Sequence, residues 1–231
     1  MTVAAVILAA SVESALADAG GVPRIRRIAD AAWAGGAMPV IVMAPDPDGT
    51  VAAALAGAEV RLATPAPPES GPVGQIVRGI DAAVATVTET SAVLIWPARI
   101  CWAGPETAGS LIEAHGIDRG SLIRPTYRGE AGWPALLPLA ARPALRDLPR
   151  TAMPDELLAA LSGSGAVEVR GLDLGDPGTV IDGATRREDL PPYEGPADPT
   201  GGRSNEWGAP VAATSDEAPL AGPARIGAEP D

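Results

Sequence analysis

The side chains able to do chemistry are few. The chain carries 17 basic residues, all of them arginine, against 29 acids, one histidine and one cysteine. With no lysine, a Schiff-base mechanism or a P-loop of the G-x-x-x-x-G-K-[ST] type has no ammonium group to use. A serine or cysteine nucleophile would have His115 alone as its base, and His115 with Cys101 falls short of a zinc cage. What remains is Ser11 behind the apolar run AVILAA, then Arg99, Cys101 and Trp102 behind AVLIW. Each has an ordinary structural alternative. Ser11 behind a strand suits a helix N-cap, Cys101 a small buried hydrophobe, and His115 before Gly116 an imidazole against terminal helix carbonyls. Arg26 and Arg27 fit a solvated helix face.

These groups must be positioned by a core of small aliphatics. The 231 residues are 46% apolar but only 3% aromatic, phenylalanine is absent, and glycine and proline number 27 and 25. That length suits one domain with some chain to spare. A formal charge of -12 argues against a nucleic-acid partner, since phosphate backbones are bound by concentrated Lys and Arg. The opening MTVAAVILAAS is too short to cross a bilayer and lacks a basic leader, and no segment reaches ~20 uncharged apolar residues. The expectation is a soluble, cytoplasmic protein without a membrane partner.

Val3 to Ala9 and Pro39 to Met43 read as strands buried on both faces, with further strands over Glu59 to Ala63, Ala92 to Trp96 and Ala166 to Leu172. Helices are expected over Pro23 to Gly36, with Ile25, Ile28, Ala32 and Trp33 on the apolar face, and over Thr50 to Gly57, Ile76 to Thr88, Pro105 to Ala114 and Pro154 to Leu161. Tyr127 to Pro134 reads as a loop. The alternation predicts an α/β fold with a mostly parallel sheet, and the Pro/Gly-rich loop Thr64 to Gly74 falls at its carboxyl edge, where such sheets bind ligands. The folded domain is expected over residues 1 to 190. Residues 191 to 231, with seven acids against two arginines and no apolar periodicity, read as a disordered acidic tail with Trp207 as its one candidate anchor.

Five segments in order resemble the nucleotidyltransferases that attach CMP or GMP to the molybdenum cofactor, the cytidylyltransferase type in particular. They are AVILAAS (Ala5 to Ser11), GPVGQIVRG (Gly71 to Gly79), VLIWPARICWAGPET, YRGEAGWPAL (Tyr127 to Leu136) and GDPGTVIDGATRREDL (Gly175 to Leu190). The resemblance implies a three-layer α/β/α, nucleotide-diphospho-sugar transferase-like fold. It implies nucleotide contacts at Leu8, Ala9, Ala10, Ser11, Gly71, Gly79 and Arg99, and a substrate-side loop at Tyr127, Gly129, Gly132, Trp133 and Pro134. The indole of Trp133 stands at a family histidine position, where it either packs the loop or stacks on a base or pterin. The family chemistry expels pyrophosphate from CTP or GTP as the phosphate of a pterin cofactor attacks the α-phosphorus, with magnesium held by two aspartates.

The chain departs from that pattern at the reacting centre. In VLIWPARICWAGPET the metal aspartate becomes Arg99, and in the last segment the second becomes Thr185 or Gly183, with Asp182 one residue out of frame. An arginine about 4 Å from a divalent ion at an effective dielectric of ~20 is repelled by roughly 8 kcal/mol before screening. The first loop lacks the family lysine, either through a deletion before Pro23, the favoured register, or with Arg24 in its place. No catalytic or metal-binding residue is therefore assigned, and CTP or GTP with magnesium is expected only if the family activity is retained. The expected ligand is a nucleotide or a molybdopterin-type compound. Two readings stay open: a divergent transferase with impaired or lost metal-dependent activity, and a non-catalytic nucleotide- or partner-binding relative linked to molybdoenzyme maturation.

Overall fold

The structure is a computed structural model that describes residues 2 to 195. The expected acidic tail, Trp207 included, lies outside the described residues apart from its first few positions.

Strand β1 (Thr2–Leu8) lies inside the sheet, parallel to β2 (Val40–Met43) on one side and β4 (Thr90–Pro97) on the other, with β3 (Arg61–Ala63) parallel to β2 at the edge. The second half adds β5 (Leu122–Tyr127), β6 (Glu130–Ala131), β7 (Ala135–Pro138) and β8 (Val169–Asp173). The order is β3-β2-β1-β4-β7-β5-β6, with β8 parallel to β5. β7 runs antiparallel to both β4 and β5, so the sheet is mixed but mostly parallel.

Side-chain alternation on the strands divides the core in two. Val3, Ala5 and Ile7 of β1, Val40 and Val42 of β2, and Leu94 and Trp96 of β4 face α2 (Arg24–Ala34) and α5 (Pro105–Ile117). Ala4 and Val6, Ile41 and Met43, and Val93 and Ile95 face α4 (Gly71–Thr86) and α7 (Pro154–Gly163). Strands buried on both faces need β-branched or small residues throughout, which is why they read as unbroken apolar runs. Each fully buried Val, Ile or Leu contributes ~1.5–3 kcal/mol.

The short helices α1 (Val12–Leu16), α3 (Thr50–Ala54) and α6 (Arg142–Leu145) complete the layers. On α2, Ile25, Ile28 and Ala32 are buried as the spacing requires, while Trp33 is 44% exposed at the C-terminal end instead of joining the apolar face. The segment expected as a loop contains hairpin β5–β6. Its turn places Arg128 and Gly129 at φ 51° and 82°, the positive pair of a tight hairpin turn. No helix among the described residues is long and apolar enough to cross a membrane.

Candidate functional site

β1 and β4 are neighbours, yet the chain runs on from β1 to β2 on one flank and from β4 to β5 on the other, so a crevice opens at their carboxyl ends. A cavity of about 550 Å³ lies there. Leu8, Ala9 and Ala10 form its floor with Met43 and with Pro97, Ala98 and Arg99. The Pro-rich loop supplies one wall through Pro65, Ala66, Pro68 and Gly71, and α4 adds Gln75. The start of α7 supplies the other, through Met153, Pro154 and Asp155. Of the lining residues only Arg99 and Asp155 are ionisable.

The Pro-rich wall is fixed by Gln75, whose amide pairs both ways with Ala66: the backbone N–H donates to Oε1 and Nε2 donates to the carbonyl, each at 2.8 Å. Gly71 sits at φ 63° with its α-carbon against the Arg150 carbonyl, a place where a side chain would collide. Gly79 lies behind the cavity. It lets α4 approach β1, where a Cβ would overlap Cγ1 of Val6. Ser11 is outside the walls as well, and its hydroxyl caps α1 by accepting from Ser14 N–H at 3.1 Å.

Arg99 is held rigidly at its backbone. Ala98 N–H donates to Leu8 O at 2.8 Å, the indole N–H of buried Trp96 donates to Ile100 O at 2.7 Å, and Gly183 N–H donates to Arg99 O at 2.6 Å. The last bond joins the two segments in which the family resemblance expects magnesium carboxylates. What meets there is an arginine and a glycine. Asp182, the nearby carboxylate, turns to its own loop, accepting from Ala184 N–H at 2.8 Å and pairing with Arg24 at 3.9 Å. Arg24 is not among the cavity's walls. The Arg99 side chain instead faces Asp155 at 3.6 Å, whose other oxygen accepts from Arg124 at 3.0 Å.

The segments expected on the substrate side lie at the same end of the sheet and are locked there. Asp176, buried, accepts from Thr107 Oγ1 at 2.6 Å, Gly178 N–H at 2.8 Å and Gly104 N–H at 3.3 Å, which clips the Gly175 to Thr179 turn onto the start of α5. Thr179 O in turn accepts from Trp133 N–H at 2.8 Å, and Gly132 packs where a Cβ would come within 2.6 Å of that carbonyl. Trp133 is 3% exposed, packed into the core with the Arg124 guanidinium 5.0 Å from its ring centre. Its neighbour Pro134 follows a cis bond, Tyr127 is buried, and Gly129 is at the exposed hairpin turn. None of Tyr127, Gly129, Gly132, Trp133 and Pro134 lines the cavity.

Cys101 is buried, with its sulfur against Gly183. Burial pushes its thiol above the usual range, and Arg24 and Arg27 oppose that shift. Trp102 donates its indole N–H to Thr185 O at 2.9 Å and carries Arg27 over its ring at 5.1 Å. Arg27 is thereby taken off the solvated face expected for it. His115 is fully buried inside α5 with Nε2 3.2 Å from Ser91 Oγ, so it serves a strand contact and not the helix-end carbonyls expected for it. Asp155 and Arg124 were missed in the sequence. The only local signal is the acidic start of α7, P-D-E, which reads equally as ordinary helix-terminus charge.

A divalent metal needs clustered oxygen donors. Among the described residues no group of three or more His, Cys, Asp or Glu side chains could hold one. The donor set at the family position, Arg99 with Gly183, does not fit such an ion.

Comparison with known proteins decides the relationship. Residues 9 to 165 match the MobA-like NTP transferase domain. The chain belongs to that family. Its fold is shared with a nucleotidyl transferase from Methanothermobacter (TM-score 0.60, 21% identity, 74% of this chain and 87% of that one). It is shared too with the manganese complex of Rv0371c from Mycobacterium tuberculosis (0.59, 17%, 75% and 89%). A third structure is 4-diphosphocytidyl-2C-methyl-D-erythritol synthase from Anaerococcus prevotii (0.61, 13%, 81% and 94%). No curated protein sequence matches the chain. The MobA-like domain therefore accounts for the α/β architecture.

Proposed function

We propose that this MobA-like domain is a divergent nucleotidyltransferase that keeps the family's nucleotide crevice but has lost ordinary metal-dependent transfer. The ancestral reaction would be that of the molybdenum cofactor cytidylyltransferases, in which NMP passes from an NTP to a phosphorylated pterin with release of pyrophosphate. The carrying observation is the Gly183 N–H to Arg99 O bond at 2.6 Å, which supports a meeting of the two metal segments without either carboxylate. Arg99 puts a cation where the family reaction needs an anionic oxygen donor.

The domain then acts as a nucleotide- or molybdopterin-binding relative, or as a docking protein in molybdoenzyme maturation. The opposing reading is a retained CTP- and magnesium-using enzyme, for which the manganese complex of Rv0371c is a structural precedent at the level of fold. Thermal stabilisation by CTP, GTP and a UDP-sugar, with and without magnesium, separates them when run beside a pyrophosphate-release assay with a phosphorylated pterin acceptor. A ligand at 100 times its Kd adds ~2.7 kcal/mol. Lost transfer predicts no pyrophosphate and no magnesium-dependent stabilisation. Either signal from one triphosphate overturns it.

A further inference from the structure

Arg99 is the only cation among the cavity's lining residues, and its guanidinium N–H donors are unused among the described residues. The side chain is 51% exposed, it makes no hydrogen bond among the described residues, and its ionic contact is Asp155 at 3.6 Å. Asp155 has its own partner in Arg124, which is 13% exposed and further fixed by the carbonyls of Gly132 and Ala131. Two arginines and one carboxylate leave a single net positive charge at the cavity wall. A guanidinium fork on so rigid a backbone matches the oxygens of one phosphate group and binds them as a pair. It cannot balance a triphosphate, whose further charges would face Asp155 with no lysine and no metal carboxylates nearby. The remaining walls, Met43, Pro45, Pro65, Pro68 and Pro97 among them, are apolar, and the volume of about 550 Å³ accommodates a heteroaromatic ring with a sugar-sized linker.

We propose that the cavity takes a heteroaromatic phosphate monoester of the nucleoside monophosphate class, held by Arg99 without a divalent metal, and that Asp155 selects against polyphosphates. This step rests on the reading of the crevice as a nucleotide site without metal-dependent transfer.

The test is calorimetric titration of the full chain with CMP, CDP, CTP and GMP, in EDTA and in magnesium. CMP or GMP binds with an affinity that magnesium changes by less than about two-fold, and CTP binds at least about ten-fold more weakly than CMP. Arg99→Gln weakens monophosphate binding about ten-fold or more, and Asp155→Asn strengthens CTP binding about ten-fold, with the melting temperature of each unliganded variant confirming its fold. An affinity that rises from CMP to CTP in magnesium overturns the proposal, as does an Arg99→Gln variant that binds like the parent or a failure of all four nucleotides to bind. Pyrophosphate release from CTP, measured in parallel, bears on lost transfer separately. With no pyrophosphate and no nucleotide binding, lost transfer stands and this assignment alone fails.

Discussion

Removing the Asp176 carboxylate tests how the crevice is assembled, because this one side chain joins segments about seventy positions apart in sequence. It accepts three hydrogen bonds, from Thr107 Oγ1 at 2.6 Å, Gly178 N–H at 2.8 Å and Gly104 N–H at 3.3 Å, and it is 7% exposed. A hydrogen bond to a charged acceptor is worth ~1.5–3 kcal/mol net; with two short bonds at the low end and a long third, Asp176→Ala should cost about 3–4 kcal/mol. In a domain of this size that lowers Tm by about 6–16 °C. Thr107→Val removes one donor and should cost about 1–1.5 kcal/mol. A double-mutant cycle of Thr107→Val with Asp176→Asn, by urea unfolding, should return a coupling of about 1 kcal/mol. An Asp176→Ala protein within about 0.5 kcal/mol of the parent would show that the turn is held by its backbone and that the reasoning is wrong.

Three further outcomes follow from the core. Burial lowers the His115 pKa, so protonation favours the unfolded chain: stability is full above ~6.5 and falls as pH drops through the folded-state value. Urea unfolding at pH 7.5 and pH 5 should give a smaller loss for His115→Gln than for the parent, and equal losses would refute this. Gly79→Ala should destabilise, because ~1–3 kcal/mol of overpacking against Val6 exceeds the ~1 kcal/mol gained in helix propensity; a raised Tm would contradict the close α4–β1 approach. Cys101, with its thiol pushed up by burial, should resist iodoacetamide in the native protein and react on unfolding, as mass spectrometry of the alkylated peptide would show.

The parallel half of the sheet was legible because β1, β2 and β4 are buried on both faces and therefore read as unbroken aliphatic runs. The antiparallel half was not. β7 has four residues and its register depends on partners that are distant in sequence, while the β5–β6 turn uses an arginine at positive φ, against residue preference. α4 begins at Gly71, five positions before the expected Ile76, because the glycine-proline start of the helix resembles loop chemistry. Arg99 was placed beside the crevice through the family resemblance of VLIWPARICWAGPET, and it lines the cavity. Its pairing with Asp155 and Arg124 arises from three separate segments and leaves no trace in local pattern.

Loss of metal-dependent transfer requires that the Arg99–Gly183 junction exclude a divalent ion. An electron paramagnetic resonance titration of manganese into the protein, alone and with CTP, reads this directly. Free manganese should stay at the level set by buffer and CTP, with no protein-bound signal. A protein-bound manganese spectrum in the parent, alone or with CTP, would contradict the account.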